Sequence, residues 1–257
     1  MDSQLVACCL MAVYISTTLI APRALRSASL LIERPRTLLC LWLGALGVAT
    51  VSLLSALGIF IARALRHHLT HVPHHNIVGP LIDSILGWVS IAILGIIAFR
   101  LGVAAQELRA ARRSMTELLS PIIAGAELLR VNDRKVWLVE SPQRLIAALP
   151  QAHRVVVSSA LREVLTPEEL GAAVEHETSH LRRHHALILA IGSLAEAVAP
   201  GFLAGQRLAQ SCRIATELIA DDDAAKRCDR RVTAAALQSA YPDDPSIADR
   251  ASRLLRD

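Results

Sequence analysis

The sequence predicts a mainly α-helical membrane protein: about three transmembrane helices, then a cytoplasmic α+β domain with a small sheet. Three observations carry this prediction. Of 257 residues, 53% are hydrophobic and only 3% aromatic, a balance too apolar for an average soluble domain. The apolar residues come in long blocks nearly free of charge. The remainder is polar, with helix-start signals and short β-branched runs bounded by proline. The expected division is a membrane domain over 1–105 and a second domain over 106–257.

Residues 5–21 and 38–61 contain no charged side chain, and 81–99 contain only Asp83. At about 1.5 Å per helical residue each is long enough for a hydrocarbon core of about 30 Å. The first block is not expected to be a cleaved signal peptide, because Met1-Asp2-Ser3-Gln4 carries no positive charge ahead of it. Between the first two blocks stand Arg23, Arg26, Arg34 and Arg36 against Glu33, and after the third come Arg100, Arg109, Arg112 and Arg113. By the positive-inside rule both segments face the cytoplasm and the N-terminus faces out, which makes a multi-pass protein of the cell membrane. The formal charge of +4 is then a topology signal; no basic and aromatic pattern for nucleic acid accompanies it, so no direct nucleic-acid binding is expected.

The connector between the second and third blocks holds His67, His68, His71, His74 and His75. Such a tract suits metal binding or a pH response. Pro73 breaks the register that would align these rings, which favours an ordinary interfacial loop. Five cysteines, Cys8, Cys9, Cys40, Cys212 and Cys228, have no ligand spacing and read as free thiols.

Residues 106–120 read as a basic amphipathic helix leaving the membrane. Residues 136–140 and 154–158 read as two short strands linked through Ser141-Pro142 and Leu149-Pro150. Thr166-Pro167-Glu168-Glu169 is a helix start, with a hydroxyl N-cap, proline at the first position and glutamate at the third, and nothing interrupts the helix between Gly171 and His185. On it lies His176-Glu177-Thr178-Ser179-His180. At i and i+4 both imidazoles leave one helix face and share one zinc ion, with Glu177 as general base for the water. A second helical stretch over 212–227 carries Glu217 and Asp221, also at i and i+4. Glu217 supplies the third protein ligand of a His2Glu site, and Asp221 accepts a hydrogen bond from a ligand histidine and fixes its tautomer. The plainer alternatives are surface histidines beside a solvated acidic face, or a zinc site without catalysis. His184 and His185 read as supporting or rim residues, since one catalytic zinc rarely takes four protein ligands.

Glu-x-x-x-Asp after H-E-x-x-H resembles the gluzincin metallopeptidases. The run over 136–227, with Ala148-Leu149-Pro150, Val155-Val156-Val157-Ser158, Leu165 to Leu170 and Leu181-Arg182-Arg183-His184, is similar to the antirepressor (BlaR/MecR-like) membrane metallopeptidases, a family that includes the beta-lactam sensor-transducers and is related to the HtpX-type proteases. The resemblance implies a membrane-embedded endopeptidase with one zinc per chain. Its implied partners are the lipid bilayer and a cytoplasmic or membrane-associated protein substrate, such as a transcriptional repressor. It also implies that a strand in the position of 154–158 forms the cleft edge to which substrate adds. The sensor-transducers carry a further span and a penicillin-binding domain, for which too little chain follows Asp221, so beta-lactam sensing is not implied. The competing class is a non-proteolytic membrane sensor or scaffold that retains the fold; Glu177 argues against it, because a structural site needs no base. Of the candidates for stabilising the oxyanion, Arg227, Arg230, Arg231 and Tyr241 are within sequence reach.

One conflict remains. Residues 186–205 are apolar enough for a fourth span, which would separate Glu217 from the histidines by a bilayer. Pro200-Gly201 supplies a break, so the expectation is a re-entrant or membrane-packed segment within the second domain. The C-terminal stretch from Tyr241 onward is expected to end in a short exposed helix.

Overall fold

The computed structural model describes residues 3–25, 28–69, 78–198 and 203–256. The chain forms two compact units, Met1–Ala28 with Thr37–Gln106 and Ser193–Ala209, and Ser29–Arg36 with Glu107–Gly192 and Gln210–Asp257.

The first unit is built on three long apolar helices, α1 (Ser3–Ala24), α3 (Pro35–Leu69) and α4 (Val78–Ala124). Each contains one expected span and is long and apolar enough to cross a membrane. α2 (Ala28–Glu33) is a short turn of helix between the first two. The expected helix over 106–120 is not a separate element but the continuation of α4. Asp83, the charge within the third block, is buried, and Arg63 donates to both of its oxygens at 3.1 and 3.0 Å while His67 Nε2 lies 2.8 Å away. A carboxylate among spanning helices is tolerable only with such partners. His67 and His68 close the last turn of α3; His71, His74 and His75 lie outside the described residues.

The apolar segment doubles back. α7 (His185–Val198) has 14 residues, about 21 Å at the helical rise and short of a bilayer core. α8 (Leu203–Cys228) follows, and Pro200-Gly201 lie outside the described residues. A Cβ at Gly205 would stand 2.9 Å from the Ala195 carbonyl oxygen, so α8 starts in close contact with α7 and only glycine fits there. Arg207 on this segment donates to the Pro22 carbonyl at 2.7 Å.

The second unit holds a four-stranded sheet, β1 (Glu127–Val131), β2 (Arg134–Val139), β3 (Ile146–Leu149) and β4 (Arg154–Ser158), in the order β1-β2-β4-β3. β1 and β2 form a hairpin turned by Asn132 and Asp133, both with positive φ. β2 and β4, the two expected strands, pair in parallel, so they are not a hairpin. β4 has neighbours on both sides and cannot accept an added strand; the edges are β1 and β3, of which β3 pairs antiparallel with β4. This corrects the expected cleft edge.

α5 (Ser159–Val164) leads into α6 (Pro167–Arg182), which packs on the sheet through Leu170 and Val174 against Val136, Val155 and Val157. Its N-terminus is the expected capping box: Thr166 Oγ1 accepts from Glu169 N at 3.2 Å, and Thr166 N donates to Glu169 Oε2 at 2.9 Å. α6 stops before His185, because His184 adopts a left-handed φ of 53° between α6 and α7. α9 (Arg230–Ala240) and α10 (Pro245–Leu254) close the unit. α10 is not the exposed tail expected: Ile247, Ala251 and Leu254 are buried against Ala234 and Leu237.

Candidate metal centre

α6 and α8 bring the three candidate ligands together. His176 and His180 leave the same face of α6, with their Nε2 atoms 3.2 Å apart. Glu217 on α8 faces both, Oε2 at 3.4 Å from His176 Nε2 and Oε1 at 3.6 Å from His180 Nε2. A tetrahedral zinc with bonds near 2.1 Å has ligand atoms about 3.4 Å apart along each edge. The two histidine nitrogens lie near that edge length, Glu217 reaches each of them through a different carboxylate oxygen, and these residues form a group able to hold a metal ion.

Each ligand is held from behind. Asp221 Oδ1 lies 3.0 Å from His176 Nδ1, close but out of line for a hydrogen bond. His185, 1% exposed, places its Nδ1 3.0 Å from His180 Nδ1. A proton on His180 Nδ1 leaves its Nε2 lone pair aimed at the centre. Arg250 of α10 donates to both oxygens of Asp221 at 2.8 and 2.7 Å and lies 3.1 Å from Glu217. Sequence reading missed Arg250, which sits on a helix with no motif of its own.

Charge supplies a second test of fit. Glu177, Glu217 and Asp221 surround the two imidazoles, with Arg250 as the cation paired to them. Burial opposes charge on His176, yet Asp221 and then Glu217 hold its imidazolium well above the usual histidine range. Burial and the His176 charge push His180 well below it. A proton on His176 thus competes with any cation bound by the pair. Burial likewise opposes charge on Glu217 and Asp221, but His176 chiefly brings the first to about 2 and Arg250 chiefly the second. A divalent ion would replace the proton and balance the excess carboxylates.

Glu177 sits beside this group on the sheet side. Ala148 N–H, on the free edge of β3, donates to Glu177 Oε2 at 2.8 Å. Ser158 N donates to Leu145 O, and in an antiparallel ladder this register turns the Ile146 and Ala148 backbone groups away from β4, toward the edge. Burial pushes the Glu177 carboxyl up, opposed by His176 and by the Ala148 amide. A small cleft opens here, lined by Ile146, Ala172, Ala173, Ala236 and Leu237 together with His176, Glu177 and Tyr241. Of the oxyanion candidates, Arg227 is engaged by Glu175 at 3.4 Å and Arg230 by the Arg256 carbonyl, Arg231 is exposed and does not line the cleft, and Tyr241 lines it with a hydroxyl that has no hydrogen-bond partner among the described residues.

Residues 126–221 match Peptidase family M48, whose members are zinc-dependent metallopeptidases in general. With the three long apolar helices, the match supports a membrane metallopeptidase, and it stops at Asp221, so Tyr241 and Arg250 lie beyond it. No curated protein and no solved structure matches the chain.

Proposed function

We propose that the protein is a multi-pass membrane zinc endopeptidase of the H-E-x-x-H, gluzincin type, with its site facing the cytoplasm. His176, His180 and Glu217 hold one zinc per chain. The observation that carries this reading is the convergence of His176, His180 and Glu217, with separations of 3.2, 3.4 and 3.6 Å, beside a half-buried carboxylate on the next residue after the first histidine. Zinc, when bound, polarises the scissile carbonyl and lowers the pKa of water. Glu177 takes the proton from the attacking water and passes it to the leaving amine. Burial raises its affinity for that proton, as the role requires. Asp221 and His185 orient the two histidines, and Arg250 fixes Asp221 and Glu217. Tyr241 donates its free hydroxyl to the oxyanion. An extended substrate adds to the edge of β3 at Ile146 and Ala148, and the alanine-walled cleft takes a small apolar side chain.

The substrate is a cytoplasmic or membrane-associated protein, and the antirepressor resemblance favours a transcriptional repressor. The basic segments after the first and third spans support the cytoplasmic side, with the N-terminus outside. The test compares the proteomes of cells carrying wild type and Glu177→Gln, which keeps shape and removes the base. A protein cleaved only in wild-type cells is expected. A signalling output unchanged in the variant, with no cleavage in either strain, would replace this reading with a non-proteolytic sensor.

A further inference from the structure

α4 does not end where its span ends. The helix runs unbroken from Val78 to Ala124, and beyond Gln106 it continues for about 25 Å at the helical rise. Nearly every residue over 107–121 is exposed, including two large apolar side chains, Met115 at 57% and Leu118 at 69%. A helix polar all round would need no partner; this one has a stripe.

The stripe has a period. Leu101, Ala104, Leu108, Ala111, Met115 and Leu118 follow one another at alternating steps of three and four, the a and d positions of a heptad. In that register Glu107 falls at g and Arg112 at the following e. Across a parallel pair of helices these are the two positions that meet, g of one strand with e of the other, and their charges are opposite. Neither makes an ion pair within the chain among the described residues.

We propose that this part of α4 is a parallel coiled-coil seam with a second copy of the chain. The inference rests on α4 spanning the membrane. Both copies then leave the same membrane face in the same direction, so the pairing is parallel, as the Glu107 and Arg112 positions require. An isolated seam this short would not hold, but confinement of both chains to one bilayer supplies a high effective concentration. A lipid surface fits the stripe less well, because a helix that continues a span without a break cannot turn to lie flat on the bilayer.

The test uses the full chain in membrane vesicles, with Cys8, Cys9, Cys40, Cys212 and Cys228 replaced by serine or alanine. Single cysteines go to Ala111, Met115 and Leu118 on the seam, and to Arg113 and Ser120 on the opposite face. Mild oxidation should give disulfide dimers at the three seam positions and only background at the other two. Glu107→Arg should cut the yield at Met115→Cys by about fivefold, as two symmetry-related exposed pairs turn repulsive, and adding Arg112→Glu should restore it. Equal yields on both faces, or none on the seam, would overturn the dimer; so would seam positions quenched by lipid-borne probes. Failure of the charge reversal to rescue the yield would overturn the register.

Discussion

Asp221 and Asp223 stand two residues apart on α8, in surroundings of opposite charge. Asp221, fully buried, meets one arginine, Arg250, and shares it with Glu217 beside Glu177, so negative charge is in excess. Asp223, 5% exposed, is met by Arg36, Arg182 and Arg183, with Ser179 donating to it at 2.8 Å, so positive charge is in excess. Asp222 between them pairs with Arg253. The run Asp221-Asp222-Asp223, for which one solvated face is the plainer alternative in sequence, is therefore split three ways. On the proposed reading a divalent ion corrects the deficit of positive charge at Asp221, whereas the cluster at Asp223 needs no ion and ties the start of α3 and the end of α6 to α8.

The comparison predicts first that Arg250→Met has the largest effect. It strands Asp221 without its partner at a site where the arginine is 14% and the aspartate 0% exposed, and loss of one member of such a pair costs about 3–5 kcal/mol. Denaturant unfolding of the metal-free protein should show that loss, and added zinc should recover part of it, because the ion takes over the missing charge. Equal losses with and without zinc would break the link between Asp221 and the metal.

Removal of Asp223 should act on stability alone. Asp223→Ala should cost about 1.5–3 kcal/mol for its charged hydrogen bonds, reduced by the partial exposure of the arginines, and should leave zinc content unchanged. Burial works against the Asp223 charge, but Arg183 first, then Ser179 and Arg182, hold its carboxyl far below the usual range. A depressed carboxylate stabilises the fold above its unfolded value, near 3.9, and that contribution fades as pH falls through the folded value. The difference between wild type and variant should be flat from about pH 8 to 5 and shrink only in acid. A difference that grows toward low pH would contradict the assignment.

Asp221→Asn should weaken zinc binding by about 10–100-fold, read by chelator competition, since the support behind His176 loses its charge. The smallest effect concerns the helix that presents both histidines: Thr166→Ala removes one half of the capping box and should cost about 1 kcal/mol with zinc affinity unaltered.

These contrasts also mark what sequence discloses. The capping box, the i and i+4 histidines and the Glu217–Asp221 pair were legible because each is local to one helix and its spacing alone sets the face. β3 was not legible: Ile146-Ala147-Ala148-Leu149 has little β-propensity and is a strand because it pairs with β4. β1 is mostly exposed, so it lacks a clear alternation, and its turn at Asn132 and Asp133 shows itself only in the backbone, through their positive φ. Arg250 and the different fates of Asp221 and Asp223 depend on how α10, α6 and α8 pack, which no spacing along the chain records.

On the proposed reading His176, His180 and Glu217 form one metal site served by Glu177. Its most direct test is zinc content per chain in purified wild type, His176→Ala, His180→Ala, Glu217→Ala and Glu177→Gln. About one zinc is expected in wild type and in Glu177→Gln, and almost none in the other three. Zinc retained by the three ligand variants, or lost from Glu177→Gln alone, would contradict it.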